Sequence, residues 1–149
     1  MKFCKVCGER PNNTNGVWAW GMSLSKYVNE SVKNCIIHLK EKLDGKYSLP
    51  KMTENPFKME CKPAENVTPA LNPAEALYYQ SLIGSLHWMV EIERIDITTE
   101  VSLLSSHLAY PREGHTEAAI HVMAYLRKKH NSCLVFNPTY PTIDMSTFK

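Results

Sequence analysis

Gln80, Gly84 and Trp88 stand four residues apart in the stretch Tyr79-Gln80-Ser81-Leu82-Ile83-Gly84-Ser85-Leu86-His87-Trp88. Residues at i, i+4 and i+8 stack along one face of a helix. The trio offers an amide that can hydrogen-bond, a gap where a backbone can approach closely, and a flat aromatic ring. These are groups for contact rather than for bond-making, and such a stripe suits a nucleic-acid groove. Spacing alone favours a plainer reading, in which Trp88 is core, Gly84 lets helices pack closely and Gln80 is an ordinary surface residue.

The other chemistry-bearing residues form no recognisable centre. Cys4-x-x-Cys7 could open a zinc site, but neither a second C-x-x-C pair nor an H-x-x-x-H follows at ligand spacing. The pair reads instead as two thiols on a strand. His107, His115 and His121 recur at spacings of eight and six, which do not share a helical face. The chain contains no G-x-S-x-G nucleophile motif, Walker loop or G-x-G-x-x-G.

The elements that must carry these residues follow from periodicity. Residues 2 to 7 and 17 to 22 read as strands about the turn Pro11-Asn12-Asn13-Thr14-Asn15-Gly16, whose Asn and Gly residues tolerate positive φ. Ser25 reads as the cap of a first helix with Val28, Val32, Cys35, Ile36, Leu39 and Leu43 on one face and Gly45 just past its end. Residues 46 to 71 hold Pro50, Pro56, Pro63 and Pro69 without periodicity and form a long irregular connection. Asn72, Pro73 and Glu75 then make a capping box for a second helix, with Leu77, Leu82, Leu86, Met89 and Val90 inward. Asp96 reads as the N-cap of a third helix running through Leu108, with Ile97, Val101, Leu104 and Leu108 inward. A fourth helix spans Glu113 to Lys129 and buries Ala118, Ala119, Val122, Met123 and Leu126. Cys133-Leu134-Val135-Phe136 reads as a short strand with an exposed edge.

With 149 residues the chain is about one domain, long enough to bury a real core. Its net charge of +2 and pI near 8.2 are too mild to argue for nucleic acid on their own. The charge is uneven: Lys26, Lys33, Lys40, Lys42 and Lys46 fall in or just after the first helix, and Arg127-Lys128-Lys129-His130 ends the fourth. Solvated faces and cations at helix C-termini account for both runs. No apolar run is long enough to span a membrane, and Met1 to Arg10 lacks the core of a signal peptide, so the chain is expected to be intracellular. Five cysteines fit reduced thiols better than a disulfide framework.

The segment from Tyr79 to Leu126 resembles the thumb and early connection region of reverse transcriptases, most closely those of copia-type retrotransposons. Three ordered blocks carry the likeness: Tyr79 to Trp88, then Arg94-Ile95-Asp96-Ile97, then Pro111 through His115 with Ala118, Val122 and Tyr125-Leu126. The likeness extends back to Trp18 through Val28, which resembles the exit of the hairpin behind the polymerase site. It implies a mainly α fold: a short N-terminal β-hairpin, a reverse-transcriptase thumb-like helical bundle and a short C-terminal strand. The implied divisions are 1–22 for the hairpin remnant, 23–130 for the thumb-like region with loop 46–71, and 131–149 for the start of a connection toward ribonuclease H.

By the same resemblance, Gln80, Gly84 and Trp88 track the minor groove of a template–primer duplex, RNA–DNA or DNA, while Lys26 and Lys33 contact phosphates in a salt-sensitive way. The partners implied are that duplex and the palm and ribonuclease H parts of a polyprotein, with no membrane. Polymerisation needs clustered carboxylates to hold two magnesium ions. The chain has only Asp44, Asp96 and Asp144, no two adjacent, and Glu91 and Glu93 point different ways from a helix. The isolated chain is therefore expected to be no enzyme and to bind no cofactor, magnesium being used by the parent polymerase. The alternative is a stand-alone helical interaction module or a decayed reading frame.

Overall fold

Four helices and one pair of short strands make up the computed structural model, which describes residues 20–41, 46–51, 53–58 and 62–136. The order is β1 (Trp20–Met22), α1 (Ser25–Glu41), α2 (Pro73–Ile92), α3 (Thr98–Ser105), α4 (Glu113–Lys128) and β2 (Leu134–Phe136). The expected hairpin partner at residues 2 to 7, Cys4, Cys7, Leu43 and Gly45 lie outside the described residues. The C-terminal strand is not the unpaired edge expected of it. β2 pairs antiparallel with β1, Gly21 opposite Val135, and closes the two ends of the described chain on each other.

α4 is the centre of the bundle, packing against α1, α2 and α3. Its Ala118, Ala119, Ile120, Val122, Met123, Ala124 and Leu126 are all buried, because a helix that is apolar around most of its circumference must be covered on most sides. α1 meets it with Val28, Val32, Cys35 and Leu39, one stripe at spacings of four, three and four. α3 contributes Val101 and Leu104, with Ile97 just ahead of it.

Helix starts follow local chemistry, with two corrections. For α2 the capping box forms as expected: Asn72 Oδ1 accepts from Glu75 N–H at 2.9 Å, and Asn72 N–H donates to Glu75 Oε2 at 3.3 Å. Ser25 is not a cap but the first residue of α1. The Ser23 hydroxyl accepts from Ser25 N–H at 3.4 Å, and the Glu93 carboxylate accepts from Leu24 N–H. Nor does Asp96 cap α3, which begins at Thr98 after a 3₁₀ turn, Ile95–Ile97, and ends at Ser105 rather than Leu108. The Asp96 carboxylate is drawn to Arg94 instead, a stronger charge-assisted partner than a backbone amide.

The proline-rich connection is irregular but tied down at its C-terminal end. A 3₁₀ turn forms at Pro63–Glu65 and an isolated bridge joins Ala70 to Arg112. Around that bridge Leu71 N–H donates to Pro111 O at 3.1 Å, Glu113 N–H to Pro69 O at 3.0 Å, and Gly114 N–H to Thr68 Oγ1 at 2.9 Å. Gly114 suits this approach, since a Cβ there would displace the Asn66 side chain, whose Oδ1 accepts from Thr68 N–H at 2.9 Å. Lys46 bridges Glu75 at 3.0 Å and Glu113 at 2.5 Å, joining the first turns of α2 and α4.

Candidate functional site

α2 has a sealed side and an open side. Tyr79, Leu82, Ile83, Leu86 and Met89 face the core. Leu77, Ser81, Gly84 and Trp88, again at spacings of four, three and four, form a line facing solvent. The inward expectation for Leu77 is corrected: it is 68% exposed. Trp88 is 55% exposed, so it is not the core residue that spacing alone favours. Among the described residues, no atom outside the surrounding helix backbone lies within 4 Å of where a Gly84 Cβ would stand, so no neighbouring helix there accounts for the glycine either.

α3 flanks this line on one side. Gln80 Nε2 donates to the Leu108 carbonyl at 3.1 Å, and His87 Nε2 lies 2.7 Å from Ser105 Oγ. The Gln80 amide is thus partly committed to the end of α3, holding the exposed faces of the two helices side by side. On the other side an open groove of about 1010 Å³ separates α2 from α1, lined by Tyr27, Asn34, His38, Leu77, Tyr78 and Ser81 among others. His38 and Tyr78 stack there with ring centroids 3.6 Å apart. The Tyr78 hydroxyl donates to Cys35 Sγ at 3.4 Å, and burial with that bond raises its pKa.

Lys26 and Lys33 do not join this face. Tyr27 and Asn34 point into the groove, and each lysine precedes one of them, which turns it about 100° around α1. Lys33 lies 3.7 Å from Glu30 on an exposed surface. The structure therefore gathers Gln80, Gly84 and Trp88 on one helix and sets Lys26 and Lys33 on a separate flank of another.

A polar cluster built around a buried arginine just past the end of α2 is what reading the sequence missed. Arg94 is 1% exposed. Its Nε and Nη2 donate to Asp96 Oδ1 and Oδ2 at 2.8 and 2.6 Å, and its Nη1 donates to the Lys129 carbonyl at 2.7 Å. Tyr125 donates its hydroxyl to Asp96 Oδ2 at 2.9 Å and places its ring 5.9 Å from the guanidinium. Partial burial pushes the Asp96 carboxyl up, but Arg94 and Tyr125 outweigh it and hold the group below its ordinary value. Burial raises Glu93, against the Leu24 N–H and Arg94. The R-x-D spacing was visible, but a lone Arg two residues before an Asp gives no sign of burial.

His115 sits at the start of α4. Its Nδ1 accepts from Arg112 N–H at 3.1 Å, so the other nitrogen carries the proton toward the Pro63 carbonyl 3.0 Å away. His107 stacks on it with centroids 4.2 Å apart. Burial, joined by His107 and Arg112, lowers the His115 pKa against the pull of Pro63. Among the described residues no three or more His, Cys, Asp or Glu side chains are grouped to hold a metal ion, and no helix is long and apolar enough to cross a membrane.

Over 87 residues the chain is 37% identical to a transposon Ty5-1 protein of Saccharomyces cerevisiae, a match covering 58% of this chain. This likeness gives the chain a retrotransposon-related origin. The match takes in only 27% of that yeast protein's length. No family model and no solved structure matches.

Proposed function

We propose that the chain is the thumb and early connection part of a retrotransposon reverse transcriptase, and that it grips a template–primer duplex without performing chemistry of its own. The observation that carries this reading is the open line through Gly84 and Trp88. A mid-helix glycine costs about 1 kcal/mol relative to alanine, and an exposed tryptophan forgoes its burial. Neither is explained by packing, and both suit a duplex whose wide, shallow minor groove comes against the helix. The retrotransposon-related origin supports the reading, as does the amide of Gln80 beside the line. In the proposed parent, the palm carboxylates and their magnesium ions lie in other parts of the polyprotein.

The test is binding of a fluorescent RNA–DNA hybrid at low salt. Trp88→Ala should weaken binding about tenfold, or about 1.4 kcal/mol. Equal affinity of variant and parent would remove the assigned face. Nucleotide incorporation by the pure chain on a primed template would overturn the absence of chemistry.

One observation favours a second reading, a helical protein-interaction module: Leu77 stands exposed at the lip of the α1–α2 groove beside the tryptophan line. That reading requires no duplex binding at any salt concentration, together with self-association or partner binding that Leu77→Ser abolishes.

A further inference from the structure

α1, α3 and α4 are each tied to the two residues that follow α2, Glu93 and Arg94. Glu93 accepts from Leu24 N–H at the start of α1. Arg94 holds Asp96 in the turn leading to α3 and holds the Lys129 carbonyl just past the end of α4. Tyr125 of α4 closes the loop onto the same Asp96 oxygen. The pair joins a sealed guanidinium to a carboxylate that keeps 34% of its surface, and its directional charge-assisted bonds admit few alternative geometries. A guanidinium with bonds at Nε, Nη1 and Nη2 and almost no solvent contact is a device for fixing angles.

We infer that Arg94 is a positioning residue for the duplex-gripping face: it locks the α2–α3 corner onto α4, so that the open line of α2 and the adjoining flank of α3 form one rigid platform. The inference rests on the proposed reading of that face. Arg94 is sealed in the interior, past the end of α2 and six residues beyond Trp88 in the chain, so it acts without touching nucleic acid. The Gln80–Leu108 and His87–Ser105 contacts depend on the α2–α3 angle that the corner sets. If that angle is loosened, the duplex must order the platform at the expense of affinity.

The experiment is a double-mutant cycle on RNA–DNA hybrid binding, at a temperature where circular dichroism shows each variant folded. Arg94→Lys keeps the charge but loses the two-pronged grip. It should weaken binding about tenfold in the parent and less than about twofold in a Trp88→Ala background, because the contact it positions is already gone. Equal losses in both backgrounds, or no loss in the parent, would overturn the inference and leave the duplex reading standing. Failure of the parent itself to bind hybrid would overturn both. Should Arg94→Lys not fold, Tyr125→Phe removes only the hydroxyl bond to Asp96 and runs the same cycle, with about threefold expected in the parent and none in the Trp88→Ala background.

Discussion

Leu86 and Trp88 are two residues apart on one helix, yet Leu86 is sealed in the core while Trp88 is more than half open to solvent. Turning α2 through half its circumference passes from one set of constraints to another. On the inner side each side chain is accounted for by volume: Tyr79, Ile83, Leu86 and Met89 have no accessible surface, and the Tyr79 hydroxyl spends itself on the Leu104 carbonyl at 2.8 Å. On the outer side Leu77, Gly84 and Trp88 satisfy no packing rule that the described residues supply. A residue that costs stability without contributing to the core points to a demand made from outside the chain, and that difference supports α2 as a contact helix.

The contrast can be broken first at the core. Leu86→Ala should lower the free energy of unfolding by about 3 kcal/mol, since it opens a cavity in a fully enclosed site. A loss below about 1 kcal/mol in urea melts would mean that the inner face is not close-packed. Gly84→Ala should act in the opposite direction, raising stability by up to about 1 kcal/mol, because the new methyl meets nothing and helix propensity improves. If it destabilises, some group does pack on Gly84 and the open face is misassigned.

Acid sharpens the comparison next, because the interior holds histidines that the outer face of α2 does not depend on. Burial holds both His115 and His121 below the ordinary histidine value, with His107 and Arg112 reinforcing it at the first and Lys58 at the second. As pH falls below about 6.5 the unfolded chain takes up these protons before the folded one, so stability present at pH 7.5 is lost on the way to pH 5.5. Urea midpoints that stay flat across this window would show both rings freely accessible. The smallest effect belongs to Trp88→Ala, whose unfolding free energy should stay within about 0.5 kcal/mol of the parent. A larger loss would make Trp88 a structural residue after all.

Legibility in the sequence varied along the chain for physical reasons. The α2 capping box was readable because its partners are three residues apart, and the α1 and α4 cores because a buried stripe imprints its period on the chain. Leu77 was misread because periodicity gives the direction of a helix face but not its width, and this apolar residue falls just outside the buried arc. Asp96 was misread because its competitor for the helix start, Arg94, binds it through a turn that spacing does not reveal. Of the candidate site, the alignment of Gln80, Gly84 and Trp88 was legible, while the separation of Lys26 and Lys33 from them was not.

The sequence by itself determined the local features, four helices, the Asn72 cap and the stripe on α2, all of which depend on residues a few positions apart, and it carried the likeness to a retrotransposon protein along 87 residues. Tertiary structure alone decided which side of α2 stays open, that the end strands Trp20–Met22 and Leu134–Phe136 pair, that loop carbonyls fasten His115 and Arg112, and that Arg94 is buried. Those outcomes join residues as much as 116 positions apart, as Trp20 and Phe136 are. The reason is physical: burial and hydrogen-bond pairing depend on what packs alongside a residue, and that neighbour is set by the whole arrangement of α1, α2, α3 and α4 rather than by the pattern within any one of them.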